Sequence, residues 1–424
     1  MRPSHKLCIL SWILICLAAI CGCGPHKTPA RSKVVTLQFW NGFSGPDGTT
    51  MERIVRRFNN EHPGIRVRMQ IIPWGTYYDK ITLGLAYGGA PDVFILHCDA
   101  LPRYADSSSL TCLDDLVAKG DLREADFVPR PWQACNWKGK QYAIPLDCHP
   151  QGLYYNVDLF TKAGIVDGHG SAKPPANLKE FLADAKKLTV DTNGDGAPDQ
   201  WGFAFTWLRT NYVTVLSQYG GSLLSKDSRE SALNTPRARA ALGLMTDFVD
   251  KYRIAPRPEG QDAWIGFQTG RVAMALEGIY MLSSLEQQKS LHFAGAPCPV
   301  FGKQRGAWAN SHLLVMPAKL SNQKRRAGWT FIKFLSDHSL EWAKGGQVPV
   351  RKSILASAAF RQLPVQYEFS KQLPYVQYVP ASISINQVLP FADAAVEAAL
   401  CGMKSPREAL AEADRRTREV LERE

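Results

Sequence analysis

The residues from Val34 to Leu96 alternate strand patterns with amphipathic helical patterns, and this alternation limits the fold more than any other feature of the chain. Val34–Trp40 is rich in β-branched and aromatic residues, and Ile65–Ile72 alternates apolar with polar side chains, as strands do. Pro91–Leu96 is a compact apolar run of the kind found in the middle of a parallel sheet. The order β-α-β-α-β predicts a doubly wound α/β lobe.

Ligands of doubly wound sheets gather beyond the carboxyl ends of the strands. In this chain the residues at those ends are Trp40-Asn41-Gly42, after the first strand, and His97-Cys98-Asp99, after the third. Both segments are therefore candidates for a binding site.

The stretch Lys138–Phe160 joins this pattern to a second one of the same style. Ala143–Leu146 is a short extended run, and Pro145 cannot donate to a strand ladder, so the run should stop or bend there. Leu153–Asn156 then resumes as a strand. A chain of 424 residues is long enough for two domains, and we expect a ligand to lie between the two halves.

Further elements follow the crossing stretch. Asn177 is placed to cap a helix, with Glu180 three residues on, and Ser405 begins the last helix in the same way. The predicted elements are a helix at Asn177–Leu188, a strand at Gln200–Phe205, a helical segment at Trp207–Gly221, a helix at Arg237–Val249, strands at Val272–Leu276 and Leu313–Met316, and a helix at Ala327–Leu335.

The N-terminus has the pattern of a secretory signal, residues 1–22, with basic residues before the apolar run Leu7–Ile20. That run is shorter than the roughly 20 residues of a membrane span. Gly22-Cys23 resembles the end of a bacterial lipobox, which predicts lipidation of Cys23 and a tether over residues 23–32. The alternative is an ordinary cleaved signal with incidental cysteines.

The formal charge of +11 is spread over the chain, without the clustered basic stripe that nucleic-acid binding requires. We therefore expect no nucleic-acid partner. Export permits disulfides, and we expect one or two of them together with buried thiols. A bond between Cys135 and Cys148 would restrict bending at the crossing. Beyond Cys23 the cysteines are Cys98, Cys112, Cys135, Cys148, Cys298 and Cys401.

Catalytic signatures are missing: the sequence has no GxSxG elbow, no HExxH and no P-loop. A glycosidase carboxylate pair is not marked by any pattern. The histidines have no metal-ligand spacing, and we interpret them as ordinary core or surface residues. They are His97, His149, His169, His292, His312 and His338, with others outside this set.

A loop beginning at Asp191 matches the D-x-N-x-D-G start of a calcium site, with Gly196 at the sharp turn. The twelfth position is Gly202 instead of the usual bidentate Glu. The alternative is an Asx-rich turn without an ion. If calcium binds, its role is structural. The candidate ligands are Asp191, Asn193, Asp195, Ala197 and Asp199.

Tryptophan and tyrosine are abundant, with 11 and 14 copies, and many stand beside Gly, Asn or Asp at predicted strand ends and loops. Sugars offer apolar CH faces and a rim of hydroxyl groups, so stacked aromatics with nearby amide or carboxylate groups suit them. Core packing is the better explanation for any single aromatic, but the repeated pairing with polar loop residues favours a site.

In the order and spacing of its motifs, the chain from Val34 to Leu421 resembles the extracellular solute-binding proteins of bacterial ABC importers, in the carbohydrate branch that includes maltose-binding and glycerol-phosphate-binding proteins. The segments that carry the resemblance are Phe39–Gly42, Gly89–Phe94, Gly139–Pro145, Tyr154–Phe160, Ala163–Ile165, Pro175–Leu188, Asp191–Gly202, Phe267–Met274, Ala327–Leu335 and Gly346–Arg351.

The resemblance implies an α/β, two-lobe periplasmic-binding-protein fold with several hinge crossings and a ligand cleft between the lobes. The N-terminal lobe would comprise residues 33–145 and 313–345, and the C-terminal lobe residues 146–312 and 346–424. Crossings are expected near Ile144–Gly152, Trp308–Leu313 and Gly345–Val350. The implied ligand contacts are Trp40, Asn41, Ser44, His97, Asp147, Trp207, Trp264, Glu277, Gly278, Tyr280, Trp308, Asn310 and Arg351.

The resemblance also implies the function: high-affinity binding of a sugar or sugar derivative outside the cytoplasm and its delivery to the permease subunits of an ABC importer. The protein would be a lipid-anchored monomer that needs no cofactor, apart from the candidate structural calcium. Two alternatives stay open, a lipid-anchored glycan-degrading enzyme and a sugar-binding protein that feeds a sensor.

Overall fold

The structure, a computed structural model, describes residues 34–260 and 262–423. Its strands are β1 (Val35–Asn41), β2 (Ile65–Ile71), β3 (Val93–His97), β4 (Asn136–Trp137), β5 (Lys140–Gln141), β6 (Ile144–Pro145), β7 (Asp147–Asn156), β8 (Met274–Gly278), β9 (Phe293–Ala296), β10 (Ala307–Asn310), β11 (His312–Val315), β12 (Val348–Pro349) and β13 (Val376–Gln377).

Helices occupy most of the remaining chain. The α-helices are α1 (Pro46–Glu61), α2 (Trp74–Tyr87), α3 (Leu101–Asp106), α4 (Asp114–Val117), α5 (Pro129–Gln133), α6 (Val157–Lys162), α7 (Leu178–Leu188), α8 (Leu208–Gln218), α9 (Pro236–Asp250), α10 (Ala263–Gln268), α11 (Leu282–Glu286), α12 (Asn322–Asp337), α13 (Ser339–Ala343), α14 (Lys352–Leu355), α15 (Ala358–Arg361), α16 (Pro364–Ser370), α17 (Ile385–Leu400) and α18 (Pro406–Leu421).

The first sheet has the strand order β2-β1-β3-β11-β6. β1 runs parallel to β2 and β3, whereas β11 is antiparallel to β3 and to β6. Helix α1 buries Met51, Ile54 and Phe58, the face that its helical spacing predicts. The Phe58 ring packs edge-on against Phe331 of α12, which in turn packs against Phe39 of β1. These apolar contacts fasten both helices to the sheet.

The second sheet is built around β7, in the order β12-β7-β10-β13, with β8 and β9 also paired to β7. The β7 strand is buried along its whole length. Two helices of this lobe begin where the sequence predicts: the side chain of Asn177 caps α7, and Ser405 and Glu408 form a capping box at the start of α18. Capping fixes the first turn of each helix over the core.

Three chain segments connect the two sheets. β6 runs directly into β7, β10 runs directly into β11, and β12 pairs with the beginning of β7. Pro145 ends β6, as predicted. This is the predicted two-lobed α/β architecture with several crossings. The residue boundaries of the two lobes remain predictions.

Two expectations from the sequence are wrong. Gln200–Phe205 is not a strand: Trp201 and Ala204 make only isolated bridges to the β8 region, because the chain bends at Gly202 against the Ala185 carbonyl. The expected disulfides are also missing from the described residues, where all six cysteines are free thiols. Cys135 instead approaches the Pro131 carbonyl, and Cys148 approaches the Tyr378 hydroxyl, so each sulfur packs in its own environment.

The predicted signal, the Cys23 lipidation site and the tether lie outside the described residues. Between residues 34 and 423, leaving out residue 261, no helix combines the length and the apolar character needed to cross a membrane.

Gly152 of β7 tests how tightly the second sheet is packed. A Cβ atom at this position would lie 2.3 Å from the Phe369 ring, so we expect Gly152→Ala to lower the free energy of unfolding by about 1–3 kcal/mol. Gly243→Ala is the matched control: no atom lies within 4 Å of its added methyl group, and alanine in a helix should stabilise by up to about 1 kcal/mol. Chemical denaturation measures both, and equal effects of the two variants would contradict the packing described here.

Candidate functional site

The candidate site, which we call the junction site, lies where the first sheet meets the crossing segments. β1 ends at Asn41, β3 ends at His97, and His312 begins β11 directly opposite His97. Because β11 is antiparallel to β3, its first residue shares an edge of the sheet with the last residues of β1 and β3. This is the edge at which the strand order predicts a ligand.

The crossing strands are irregular at one point. His149 pairs with Asn310, and Pro145 pairs with Leu313. Three residues separate Pro145 from His149, whereas only two separate Asn310 from Leu313 on the opposite strand. One extra residue on one strand of an antiparallel pair is a β-bulge. The extra residue lies within Leu146–Cys148 and bends the ladder as it passes from one sheet to the other.

Asp147, inside this bulge, is completely buried and has partners on all sides. Its carboxylate accepts the backbone N–H of His312 at 3.0 Å and the indole N–H of Trp342 at 2.6 Å. It also lies 2.7 Å from Nδ1 of His312 and 3.3 Å from Nδ1 of His149. Burial alone would raise the pKa of this carboxyl, but His312 and His149 keep it well below its usual value. Asp147 is therefore an anion.

Three histidine rings meet beside Asp147. The ring centroids of His149 and His312 are 4.5 Å apart, those of His97 and His312 are 5.0 Å apart, and those of His97 and His149 are 5.7 Å apart. Burial, together with the neighbouring imidazoles, lowers the pKa of His97 and of His149. These two rings are consequently uncharged at neutral pH. We call His97, His149 and His312 the histidine group.

Aromatic side chains surround the histidine group. The Trp74 ring lies 4.5 Å from the His97 ring and is nearly parallel to the His312 ring at 6.0 Å. On the other side, Tyr280 and Trp308 lie 6.0 and 6.3 Å from the His149 ring. The Trp74 position requires the glycine of Asn41-Gly42, since a Cβ atom on Gly42 would lie 2.2 Å from the indole.

A buried polar network of the second lobe positions Trp308. The Thr214 hydroxyl accepts the backbone N–H of Trp308 at 2.9 Å and donates to Oε1 of Gln151 at 2.6 Å. Gln151 Nε2 donates to the hydroxyl of Thr210 and to the carbonyl of Leu276. Since every polar atom of this network has a partner, the backbone next to the Trp308 indole is fixed.

Glu277 of β8 is buried beside this network. Its Oε1 accepts the backbone N–H of Gly278 at 2.7 Å and the Tyr280 hydroxyl at 3.1 Å. Burial raises the pKa of Glu277 to about 7 despite these hydrogen bonds. Gly278 is required where it stands, because a Cβ atom there would lie 2.1 Å from the Tyr280 ring.

Asn41 and Asn310 of the predicted site differ in whether their side-chain amide groups have protein partners. Asn41 is fully buried and its Oδ1 accepts the backbone N–H of Phe43, but its Nδ2 has no partner among the described residues. Both polar atoms of the Asn310 side chain have partners: Oδ1 accepts from the backbone of Cys98 and of Ser311, and Nδ2 donates to Asp99. Asn41 therefore has a donor to spare, whereas Asn310 connects the loop after β3 to β10.

The predicted contacts thus fall into two sets. The structure gathers one set around the junction site: Asn41, His97, Asp147, Glu277, Gly278, Tyr280, Trp308 and Asn310. None of the ring or hydrogen-bond contacts described above joins the second set to the histidine group: Trp40, Ser44, Trp207, Trp264 and Arg351.

Each residue of the second set has another environment. Trp40 packs against the cluster around α2, Ser44 is exposed, and the Trp207 side chain is 58% exposed at the start of α8. Trp264 stacks on Phe267, with its Nε1 buried and unpartnered within the described chain. The Arg351 guanidinium lies over Phe127 and pairs with Asp337 at 3.3 Å. For both sets, a ligand-binding role stays a prediction.

The ligand contacts implied by the sequence left out part of the junction site, namely His149, His312, Trp74, Tyr78 and Trp342. One signal was available for His149: it is two residues from Asp147, and residues two apart in a strand face the same side. His312 could not be found in this way, because its position depends on the pairing of β11 with β3.

The calcium candidate loop is folded on itself. Asp191 accepts the backbone N–H groups of Gly194 and Gly196, and Asp199 accepts those of Thr192 and Asn193. Asp195 accepts the N–H of Ala197. The five candidate ligands are exposed. This is the Asx-turn geometry that the sequence offered as the alternative, and calcium binding stays a prediction.

Comparisons with known proteins agree with this architecture. An arabinooligosaccharide-binding protein of Bacillus subtilis is 22% identical over 90% of this chain and 87% of that protein. A protein of Brucella abortus, named as a binding protein, is 24% identical over 90% of this chain and 92% of its own length. An ABC substrate-binding protein of Listeria monocytogenes, solved in complex with cycloalternan, superposes with a TM-score of 0.78 and 24% identity, over 92% of this chain and 99% of that chain.

The family described as bacterial extracellular solute-binding protein matches residues 42–339. These residues include β2 to β11 and the histidine group, and they amount to well over half of the chain. The fold prediction is therefore confirmed, and this protein belongs to the bacterial extracellular solute-binding proteins.

Proposed function

We propose that the protein binds a sugar or sugar derivative outside the cytoplasm and delivers it to the permease of an ABC importer. The observation that carries the proposal is the ring of Trp74, Tyr280 and Trp308 around buried polar groups at the junction site. Relatives named for an arabinooligosaccharide and for sn-glycerol-3-phosphate, together with a fold neighbour solved with cycloalternan, support a carbohydrate ligand.

The chemistry of the junction site suits a sugar. Indole and phenol rings can cover the apolar faces of a pyranose, and the polar groups between them can meet its hydroxyl rim. The Asn41 Nδ2 group offers a donor without a protein partner, and Glu277 offers an acceptor that is already partly desolvated. A hydroxyl group that accepts from Asn41 Nδ2 would satisfy an atom that burial leaves costly.

Ligand entry requires the lobes to separate. His149 and His312 are only 3% and 5% exposed, and Asp147 is fully buried, so a ligand cannot reach them while the lobes stay in this arrangement. Hinge opening at the crossings would expose the site, and closure around the solute would present a surface to the permease.

We propose binding without turnover. A glycan-degrading enzyme needs two carboxyl groups flanking the scissile bond, and Asp147 is already fully engaged with His312, His149 and Trp342. The proposal also includes lipidation at Cys23, attachment to the outer side of a bacterial membrane and a monomeric state. It places the lobe boundaries at residues 145/146, 312/313 and 345/346. Neighbouring permease genes would favour an importer over a protein that feeds a sensor.

A thermal-shift screen over monosaccharides, oligosaccharides, polyols and glycerol phosphates tests the binding proposal. We expect at least one carbohydrate to raise the melting temperature, with no product detectable by chromatography. Trp308→Ala should weaken binding of that ligand about tenfold or more, since it removes one aromatic face. Trp137→Ala is the control, because Trp137 is in the β4–β5 hairpin and donates to Asp106.

Three outcomes would contradict this proposal: no response across the screen, turnover of the bound sugar, or equal weakening of binding by the two tryptophan variants. Circular dichroism of both variants checks that they fold.

Glu277 gives a pH prediction for the ligand-free protein. Its pKa rises from 4.5 to about 7 on folding, so the folded state favours the protonated acid. Glu277 therefore leaves the free energy of unfolding unaffected below pH 4.5 and lowers it as the pH rises from 4.5 through about 7. Glu277→Gln keeps the acceptor for Gly278 and cannot ionise. We expect its stability relative to wild type to rise by about 3 kcal/mol between pH 4 and pH 8.

Denaturant unfolding of both proteins at several pH values measures this difference. A difference that does not change with pH would show that the Glu277 carboxyl ionises equally well in the folded and unfolded chains.

We also propose a structural calcium in the loop from Asp191 to Asp199, supported by the alternating oxygen ligands of its sequence. Calcium added to chelator-treated protein should give binding heat and a higher melting temperature, and Asp195→Asn should weaken both. Asp227→Asn, in another exposed loop, is the control. Absence of heat and of a thermal shift in the unmodified protein would end this idea.

A further inference from the structure

The histidine group has a composition that a sugar site does not require. One ring nitrogen each from His97, His149 and His312 lies within 4.8 Å of the other two. Within residues 34–260 and 262–423, this is the group of His, Cys, Asp or Glu side chains whose spacing could hold a metal ion. The three residues come from the end of β3, the beginning of β7 and the first position of β11, so the fold brings together what the sequence separates.

Each ring has a polar neighbour at Nδ1. The Asp147 carboxylate faces Nδ1 of both His149 and His312, at 3.3 and 2.7 Å. The Tyr78 hydroxyl lies 2.7 Å from Nδ1 of His97 and accepts its backbone N–H at 3.1 Å, so a second lone pair can accept the Nδ1 proton. Protonation at Nδ1 leaves the lone pair of each ring on Nε2, and within the described chain no hydrogen bond occupies these Nε2 atoms.

The hydrogen-bond partners at Nδ1 are of the kind that support the histidine ligands of protein metal sites. Histidines that bind a metal through one nitrogen almost always donate the other ring N–H to a carboxylate, a carbonyl or water, which fixes the ring and makes it a stronger ligand. Asp147 does this for two rings at once, and it is itself held by the Trp342 indole N–H and the His312 backbone. Its negative charge also favours a cation beside the three imidazoles.

The distances allow a metal after a small adjustment. Zinc binds imidazole nitrogen at about 2.0–2.1 Å, which places the nitrogens of a tetrahedral site about 3.3 Å apart. The separations between one ring nitrogen of each histidine are at most 4.8 Å, so these nitrogens must approach one another by no more than about 1.5 Å, which side-chain rotation and small lobe movements can provide. Three protein ligands leave one position for water or for an oxygen atom of a second ligand.

We propose that His97, His149 and His312 bind one divalent transition-metal ion of the Zn²⁺ class, with Asp147 as the positioning residue for two of the three rings. Three imidazoles select zinc, copper or nickel over calcium and magnesium, which prefer oxygen ligands. The inference goes beyond sugar binding and does not depend on it. Because His97 belongs to the first sheet and His149 to β7 of the second, the metal would connect the two sheets directly.

The test uses full-length protein without an affinity tag, stripped of metal with a chelator and transferred to chelator-free buffer. Titration with Zn²⁺ in a calorimeter should give one tight site per chain, measured in the presence of calcium so that the Asp191 loop does not contribute. Titration with Co²⁺ should give the visible absorption of a four-coordinate ion with nitrogen ligands. Zn²⁺ should then displace the Co²⁺ spectrum.

Variants identify the ligands. His97 is only partly buried, so its substitution should disturb the packing less than substitution of His149 or His312. His97→Gln should weaken Zn²⁺ binding at least a hundredfold and remove the Co²⁺ absorption. Asp147→Asn should weaken binding about 10- to 100-fold, since it alters the partner of two ligands. His292→Gln is the matched control: its ring pairs with Asp158 on the surface, with 70% of the side chain exposed, and binding should not change.

A Zn²⁺ affinity that is the same in His97→Gln and His292→Gln would overturn the proposal, as would the absence of any Co²⁺ absorption in the wild-type protein. Circular dichroism confirms that each variant is folded before its affinity is compared. The sugar screen is repeated with chelator present, so that the two proposals are tested separately. If no sugar changes the melting temperature, the metal proposal is unaffected. If no metal binds, the sugar proposal is unaffected.

Discussion

The buried charge of Asp147 is the constraint on which the junction between the lobes depends. A carboxylate removed completely from water costs several kcal/mol unless it is paired and hydrogen-bonded. Here its partners come from β7, from β11 and from the helix before β12, which are the elements that carry or precede the three crossings. If any of these segments moved away from Asp147, the carboxylate would lose a partner and part of its burial cost would no longer be offset. One side chain therefore couples all three segments.

Much of the fold could be predicted from the sequence because its signals are local. The face of α1, the Asn177 cap and the capping box at Ser405 each depend on residues within one or two helical turns. Pro145 ends β6 for an equally local reason, the absence of a backbone donor. The failed strand at Gln200–Phe205 shows the limit, because contact with α7 bends the chain at Gly202.

The junction site depends on tertiary structure, and its residues could be predicted only as positions near strand ends. Asn41 and His97 are the last residues of β1 and β3, so the order of strands was enough to place them. His312 reaches the same edge only because β11 inserts between β3 and β6, which no spacing in the sequence indicates. The bulge that turns Asp147 inward is likewise visible only after two distant strands are paired.

The aromatic residues show why a composition signal needs geometry. An excess of tryptophan predicted a carbohydrate site, and the structure divides those rings between two roles. Trp74 and Trp308 flank the histidine group, whereas Trp264 stacks on Phe267 within the second lobe. Two rings near the junction also depend on a glycine that leaves room for them, Trp74 on Gly42 and Tyr280 on Gly278. A position in the chain can identify a loop, but close packing decides which side chains the loop presents.

The pairing of the crossing strands has a mechanical consequence. Because β6–β7 and β10–β11 are hydrogen-bonded to each other on both sides of the bulge, they form a single two-stranded ribbon between the lobes. Such a ribbon bends readily across its width, but it resists sliding of one strand along the other, since sliding would break the register of every pair. Relative motion of the lobes should therefore be close to rotation about one axis, which passes through the bulge at Leu146–Cys148.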